Sequence, residues 1–481
     1  MRLTHYLLLG SVMLTMGVFA QNKQILYDFN EIPQSLILNP GVETDFKWYA
    51  GVPLLSGVSG YVGANGISVN DIFAEDGVDI NIKVRERALN VLKPRDEFST
   101  TVQIEYFNGG FRSNDPSVFY SFGGYFEIDN ITFWPQDYAY LIFDGNADQL
   151  NREFDLGDLN SRGSMVNVFH FGINKKVDRN LTIGARGKLY SGIVDYSSTS
   201  NKGYLVNTQG QNNRIATTLD ADLMLRTSGF QSLDEASDSD TAAGQFVKRA
   251  FFGGDLGLGI DVGFTYHLSE RTTITGSVLD LGFIHHGNDA QSYSLNGKAT
   301  VEGIEIDILE NFANLNRDFW QDLVDEVEGL IPFETDTDSY VTFRPTKLYA
   351  SIRNDFGEPV NNGGGQIDCD CTAGSSGAVE LRTKYRNSIG GQLYMINRPR
   401  GPQIALTGFY TRRFGNFLAL KGTYTADKFS YTNVGLGMNL QAGPVNFYVM
   451  ADNLLSYKNI AATNYASFQL GMNIISWGRN K

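Results

Sequence analysis

The sequence predicts an all-β protein, an antiparallel transmembrane β-barrel of about 14 strands with long loops and one short amphipathic helix. Three observations predict it. The first is alternation: in 255–268, DLGLGIDVGFTYHL, the residues Leu256, Leu258, Ile260, Val262, Phe264 and Tyr266 alternate with Gly257, Gly259, Asp261, Gly263 and Thr265. That is a strand with one apolar face and one small or polar face. The second is length, since many such segments run to about ten residues, enough to cross a bilayer at a tilt and longer than the usual soluble strand of about 5 to 6. The third is that the non-apolar face is often ionic. In 378–386, Glu380, Arg382, Lys384 and Arg386 alternate with Val379, Leu381, Thr383 and Tyr385, and charges gathered on one face suit a wet lumen where they pair across strands.

Residues 1–20 read as a secretory signal peptide, with Arg2 ahead of an apolar run and Val18-Phe19-Ala20 before the expected cut. Segment 21–98 supplies either a first strand or a plug, and 99–481 the barrel. Within it, strands are expected at 101–110, 117–128, 165–174, 181–191, 214–225, 255–268 and 272–284. A denser meander follows at 347–354, 378–386, 390–397, 403–413, 417–426, 431–441, 445–455 and 466–477. Three connections are long, 227–247, 285–340 and 356–377. The parity of long and short loops is off by one strand near 192–213. Within 317–331, Phe319, Trp320, Leu323, Val324 and Val327 recur at helical spacing among acidic residues, a helix that could plug the lumen, cap it or meet a partner, or simply pack on its own core.

Composition bounds the function. Gly (52), Phe (32) and Tyr (24) are abundant and Pro (12) is scarce, which suits strands better than helices. Past the signal peptide no apolar run is long enough for a membrane helix. Aromatics at Trp48-Tyr49, Phe133-Trp134 and Trp477 fall where an interfacial girdle is expected. A secreted two-sheet sandwich would alternate too, but it should show Pro-, Ser- or Thr-rich linkers, and 378–481 has none. The net charge of −14 with no basic stripe argues against nucleic acid as a partner. Cys369 and Cys371 form a C-x-C in a Gly-rich stretch; they fit a small local disulfide better than a metal site, which needs further His or Cys nearby.

Near the expected mature N-terminus stand SLILNPG (35–41), WYAGVPLLS (48–56) and NGISVND (65–71), and later LTIGARGKLYSG, SVLDLGFI, ADNLL and FQLGMNIISWG. This series resembles an outer-membrane barrel family of Bacteroidota-type bacteria that carries an LNP motif and has no assigned activity. It is more distantly similar to PorP/SprF-like type IX secretion components and to fatty-acid-transporter-like barrels. The resemblance implies fold and a bacterial cell outer membrane location, with no functional residues to carry over.

No enzyme is expected, because His170, His267, His285 and His286 stand in no hydrolase signature, and no cofactor is expected. Asn39-Pro40 reads as an extended or turn dipeptide. The expected role is a structural or interaction component of the outer membrane, associated with protein secretion, its partners being outer-membrane lipid and other outer-membrane or secretion proteins. The alternative is a transporter or pore for small or hydrophobic solutes, with Glu380, Arg382, Lys384, Arg386 and Lys421 as lumen charges.

Overall fold

The alternating segments pair in sequence order and close on themselves. The computed structural model describes residues 23–146, 148–210, 215–234, 239–302, 333–360, 366–367, 379–380, 382–427, 433–454 and 464–477. Among the described residues the barrel strands are β1 (Phe46–Gly51, resuming as Gly57–Ala64), β2 (Glu97–Arg112), β3 (Val118–Phe133), β4 (Ser161–Lys176), β5 (Leu181–Gln209), β6 (Asp255–His267) and β7 (Thr272–His286). They continue as β8 (Lys347–Pro359, with Tyr340–Phe343 ahead of it), β9 (Tyr385–Arg398), β10 (Gly401–Phe414), β11 (Leu418–Ala426), β12 (Asn433–Ala442), β13 (Val445–Asp452) and β14 (Tyr465–Trp477). Each pairs antiparallel with the next, and β14 pairs with β1 from Trp477 opposite Phe46 to Tyr465 opposite Gly63, which closes the sheet. No helix among the described residues is long and apolar enough to cross a membrane.

The faces sort as the alternation requires. On β6 the residues Leu256, Leu258, Ile260, Val262, Phe264 and Tyr266 are 39–58% exposed, while Asp261 and Thr265 are buried; the apolar row points out and the polar row into the lumen. The largest apolar core therefore lies inside the barrel. Ile25, Leu26, Tyr27, Phe29, Ile32 and Leu38 of the N-terminal segment pack there against inward side chains such as Tyr349, Tyr394 and Tyr448.

Several elements depart from expectation. Strand 181–191 does not end where the loop was expected but runs on to Gln209. At about 3.3 Å per residue, such a strand far exceeds the bilayer's hydrocarbon thickness of about 30 Å, so its upper part stands clear of the membrane. There it leaves β6 and pairs with Ile215–Ser228, which pairs with Ala290–Glu302, which pairs with Phe333–Asp336. Expected strand 214–225 thus belongs to this projecting sheet, which is why the loop parity failed, and part of the long 285–340 connection is strand. The branch is tied by Asp255, whose carboxylate accepts from Ser228 Oγ at 2.5 Å and Arg249 at 3.2 Å and lies 2.9 Å from His286 Nδ1. His285 points the opposite way, so the two histidines do not form a pair.

Expected strands 378–386 and 390–397 are not two barrel strands. Val379–Glu380 pairs with Gln366–Ile367 in a separate small sheet, and β9 begins only at Tyr385. Of the aromatic girdle, Trp48 and Trp477 lie exposed near the lower rim, but Tyr49 and Phe133 point inward and are buried. Residues 1–22, Cys369, Cys371 and the helix with Phe319, Trp320, Leu323, Val324 and Val327 lie outside the described residues.

An arginine on the lipid face of a barrel costs about 2–4 kcal/mol at the bilayer midplane. Leu258→Arg should lower the stability of the folded barrel in vesicles by that amount, read from urea titration of tryptophan fluorescence. An unchanged midpoint would place this face away from lipid.

Candidate functional site: the lumen and its plug

Residues 23–45 run inside the barrel, since they touch inward side chains from strands on opposite sides at once. At mid-height, Gln392 on β9 donates to the Gln24 carbonyl at 2.7 Å, Thr407 on β10 donates to Gln24 Oε1 at 2.8 Å, and Lys421 on β11 donates to the Tyr27 carbonyl at 2.5 Å. Tyr27 stacks on Tyr349 with ring centroids 4.7 Å apart. Across the lumen, Gln34 donates to the Ser56 carbonyl at 2.7 Å and exchanges hydrogen bonds with Asn473 at 2.8 and 2.9 Å. Ser56 ends the break in β1, where Pro53 cannot donate to a neighbouring strand.

The Asn39-Pro40-Gly41 turn seats the segment on β5 and β6. The Asn39 side chain accepts from Gly41 N at 2.9 Å and donates to the Phe264 carbonyl at 3.1 Å, while Asn174 donates to the Pro40 and Val42 carbonyls, both at 2.7 Å. Glycines make the seat: a Cβ on Gly184 would stand 2.0 Å from the Pro40 oxygen, and one on Gly263 2.1 Å from Asn39 Oδ1. At the lower rim the segment is held by ion pairs, Asp28 to Arg353, Glu31 to Arg413, Glu43 to Lys176 and Asp45 to Lys384. His267 Nε2 also lies 2.8 Å from Glu43.

Over the plug, charged wall side chains bind one another, and Arg186 also donates to the plug carbonyls of Leu36, at 2.9 Å, and Ile37. Arg186 Nε donates to Asp261 at 2.7 Å, Lys188 lies 3.1 Å from Asp261 and 2.5 Å from Asp280, and Lys347 lies 3.0 Å from Asp280 and 3.8 Å from Glu127. Arg344 pairs with Glu127. Arg398 on β9 grips Asp129 on β3 at 2.5 and 3.0 Å, and Gln403 on β10 donates to Glu97 on β2 at 2.6 and 2.8 Å. The contacts among Arg186, Lys188, Asp261, Asp280 and Lys347 run along neighbouring or next-but-one strands, whereas β9 and β3, and β10 and β2, sit six strands apart in a fourteen-strand ring, nearly opposite each other, so the Arg398 and Gln403 contacts span the lumen. Asp280 enters it through a bulge, where the β7–β6 register jumps between Val278 and Leu281 and Asp280 takes φ 60°; bulges re-aim side chains in this way.

Among the described residues, hollows of about 60 Å³ each, room for a few waters, include two in the lumen. One lies beside Lys23, Glu127, Lys347 and Arg398, the other between Glu31, Glu43, His267, Arg353 and Arg413. A larger hollow of about 500 Å³ sits on the outer face between Ile352, Leu393, Leu406 and Tyr424, where acyl chains rather than lumen solutes would lie.

Of the expected lumen charges, Lys421 is wholly buried against the plug and Lys384 pairs with Asp45. Arg382 instead folds onto the β4–β5 turn, donating to the Arg179 carbonyl and to Asn180 at 2.5 and 2.9 Å. Arg386 pairs with Glu358 at 2.9 Å near the surface. Glu380 lies in the small separate sheet, its side chain outside the described residues. Asp261 lies on the face that the alternation gives to the lumen, but Arg186, Lys188 and Asp280 are not among the expected lumen charges. Their signal was present: each charge falls on the polar parity of its strand, and apolar parity flips within Val278-Leu279-Asp280-Leu281 at the bulge.

In the plug, burial alone would raise the Glu31 carboxyl, but Arg413 and Lys384 hold it down at about 2. Glu43 likewise is raised by burial and brought down to about 2 by His267 and Lys176.

Fold and lumen together define a membrane β-barrel plugged by its own N-terminal segment. The chain belongs to a family of unknown function (DUF5723), which matches residues 40–452. No curated protein matches the chain. Similar solved structures include a Pseudomonas aeruginosa FadL homologue, 9% identical over 94% of this chain and 95% of that one, TM-score 0.40. The Ralstonia pickettii toluene transporter TbuX is 10% identical over 97% of this chain and 100% of its own, TM-score 0.39. The P. putida toluene transporter TodX is 9% identical over 96% of this chain and 95% of its own, TM-score 0.37.

Removing one partner of a buried pair leaves an uncompensated charge and costs about 3–5 kcal/mol. Arg398→Met should therefore destabilise the barrel by that amount in urea titration, with Arg398→Met/Asp129→Leu recovering most of the loss; a neutral single variant would mean that the pair does not hold the walls together. Glu31 and Glu43 of the plug have folded values below the ordinary carboxylate value of about 4.3. Their contribution is fully present above that value and lost as pH falls through about 2. Hydrogen exchange of 24–45, corrected for intrinsic pH dependence, should show unchanged protection between about pH 8 and 5 and a loss only in stronger acid.

Proposed function

We propose that the protein is a transporter of the bacterial outer membrane, closed at rest by its own N-terminal segment and opened when that segment yields. The observation that carries this reading is the chemistry of the plug-to-wall contact. Besides the apolar packing of Ile25 through Leu38 on the wall, residues 23–45 are fastened along their rim by ion pairs and hydrogen bonds; polar groups parted from each other regain water, so the net cost of separating them is small per contact. A plug that served only to fill the barrel would need no such rim of ion pairs in addition to its apolar packing. The apolar outer band and the closed sheet, which leaves no unpaired edge to lipid, support the outer-membrane location.

A second reading rests on the upper rim. There Phe73, Ile80 and Ile82 are 67%, 48% and 49% exposed beside a sheet that stands above the membrane, and exposed apolar side chains fit contact with another protein. Association with secretion components would belong to this role.

Planar-bilayer recording separates the two. The full chain should be closed with rare brief openings, and a variant lacking residues 23–44 should conduct steadily, its barrel verified by heat-modifiable gel migration. A folded, plug-less barrel that passes no current would overturn the transporter reading.

A further inference from the structure

The plug is acidic where it meets the lower wall, and the wall is basic where it receives it. Between residues 24 and 45 the segment carries carboxylates at Asp28, Glu31, Glu43 and Asp45 and no lysine or arginine. Each carboxylate sits on a strand or rim cation: Arg353, Arg413, Lys176 and Lys384 respectively. Asp28 also accepts from Ser351 Oγ at 3.0 Å. A further cation, Lys421, is wholly buried; its ammonium donates to the Tyr27 carbonyl and lies 4.2 Å from the centroid of Phe409. The wall's own carboxylates beside this hollow are Asp355, 3.3 Å from Arg353 Nε and bonded to Ser388, and the exposed Glu270, 3.9 Å from Arg382.

Apart from Lys23 at the start of the segment, which donates to Gln103 beside the upper hollow, the two signs of charge are thus carried by different parts of the chain. The anions ride on a segment held by non-covalent contacts, and the cations are fixed on strands that cannot move without breaking the barrel or, for Lys384, on the residue just ahead of β9. When the segment withdraws, its carboxylates leave together and the wall keeps an excess of positive charge in a confined, poorly hydrated space. A buried cation without a partner is costly, so the vacated lumen favours a replacement anion over water alone. Rings of fixed charge set the sign of what a pore admits.

Resting on the transporter reading above, we propose that the lower lumen is an anion site, and that the plug carboxylates stand in for the carboxylate or phosphate groups of a small multi-anionic solute. The solute competes with the plug for Arg353, Arg413, Lys384 and Lys421, and that competition releases the segment. The same cations then pass the solute along the wall. A purely apolar solute offers nothing to these groups and does not unseat the plug.

Two measurements test this. In planar bilayers under a KCl gradient, the full-length variant Glu31→Gln/Glu43→Gln, with a weakened plug and an intact wall, should open more often, with chloride preferred over potassium several-fold. Adding Arg353→Gln and Arg413→Gln should abolish that preference. Openings that favour potassium, or neither ion, overturn the anion site and leave the transporter reading standing, whereas silence in these variants and in the plug-less barrel removes both. The second measurement uses the unaltered chain. Citrate or inorganic pyrophosphate should accelerate hydrogen exchange across residues 24–45 several-fold relative to sodium chloride of equal ionic strength, and toluene should not. Equal exchange in citrate, pyrophosphate and chloride overturns the proposal.

Discussion

A closed sheet of fourteen strands encloses more space than its own side chains can fill, and the rest of this structure follows from how that space is occupied. Eight-stranded barrels are filled by inward side chains, while barrels of about sixteen or more leave an aqueous channel. This protein lies between. Its lower half is filled by residues 23–45, and its upper half is drawn across by long charged side chains from opposite walls. Without either filling, a row of inward polar groups such as Asn473, Asp261 and Thr265, each now fully or almost fully buried, would have to be hydrated.

Filling with charge rather than hydrocarbon has consequences. A buried ion pair gives little net stability relative to apolar packing, but breaking one by removing a single partner is expensive. The ladder from Arg186 through Asp261, Lys188, Asp280 and Lys347 to Glu127 therefore favours one arrangement of the walls more than it adds stability, because each carboxylate shares two cations and no member moves alone. The plug differs in that most of its carboxylates are matched one to one with wall cations. A segment fastened by separate polar contacts can be released in steps, whereas the interlocked ladder cannot.

The projecting sheet obeys another constraint. β5 changes partner from Asp255 at Gly192 to Ser228 at Asp195, and a strand that switches neighbours leaves backbone and side-chain groups to be satisfied at the fork. Asp255 meets that need, accepting from Ser228, Arg249, Gly287 and Asn288. The fork carries strands out of the bilayer while the barrel below stays closed, so contacts made above the membrane need not disturb the lumen.

Much of this was legible in the residues. Alternation in DLGLGIDVGFTYHL assigned Leu256 through Tyr266 to one face and Asp261 to the other, and strand order followed from short turns, because period-two patterning and local connection are properties of neighbouring residues. The sequence by itself determined an all-β barrel, its lipid face and the parity of most lumen charges. It could not determine where β5 ends, since a strand above the membrane alternates as one inside it does. Nor could it show that Arg382 and Arg386 turn away from the lumen while Lys384 stays in it on Asp45, or that Gly263 serves Asn39, 224 residues away by position. Those facts depend on which distant surfaces meet. Only the closed tertiary structure, by placing residues 23–45 against nearly every wall at once, decided what fills the lumen and which charges face one another within it.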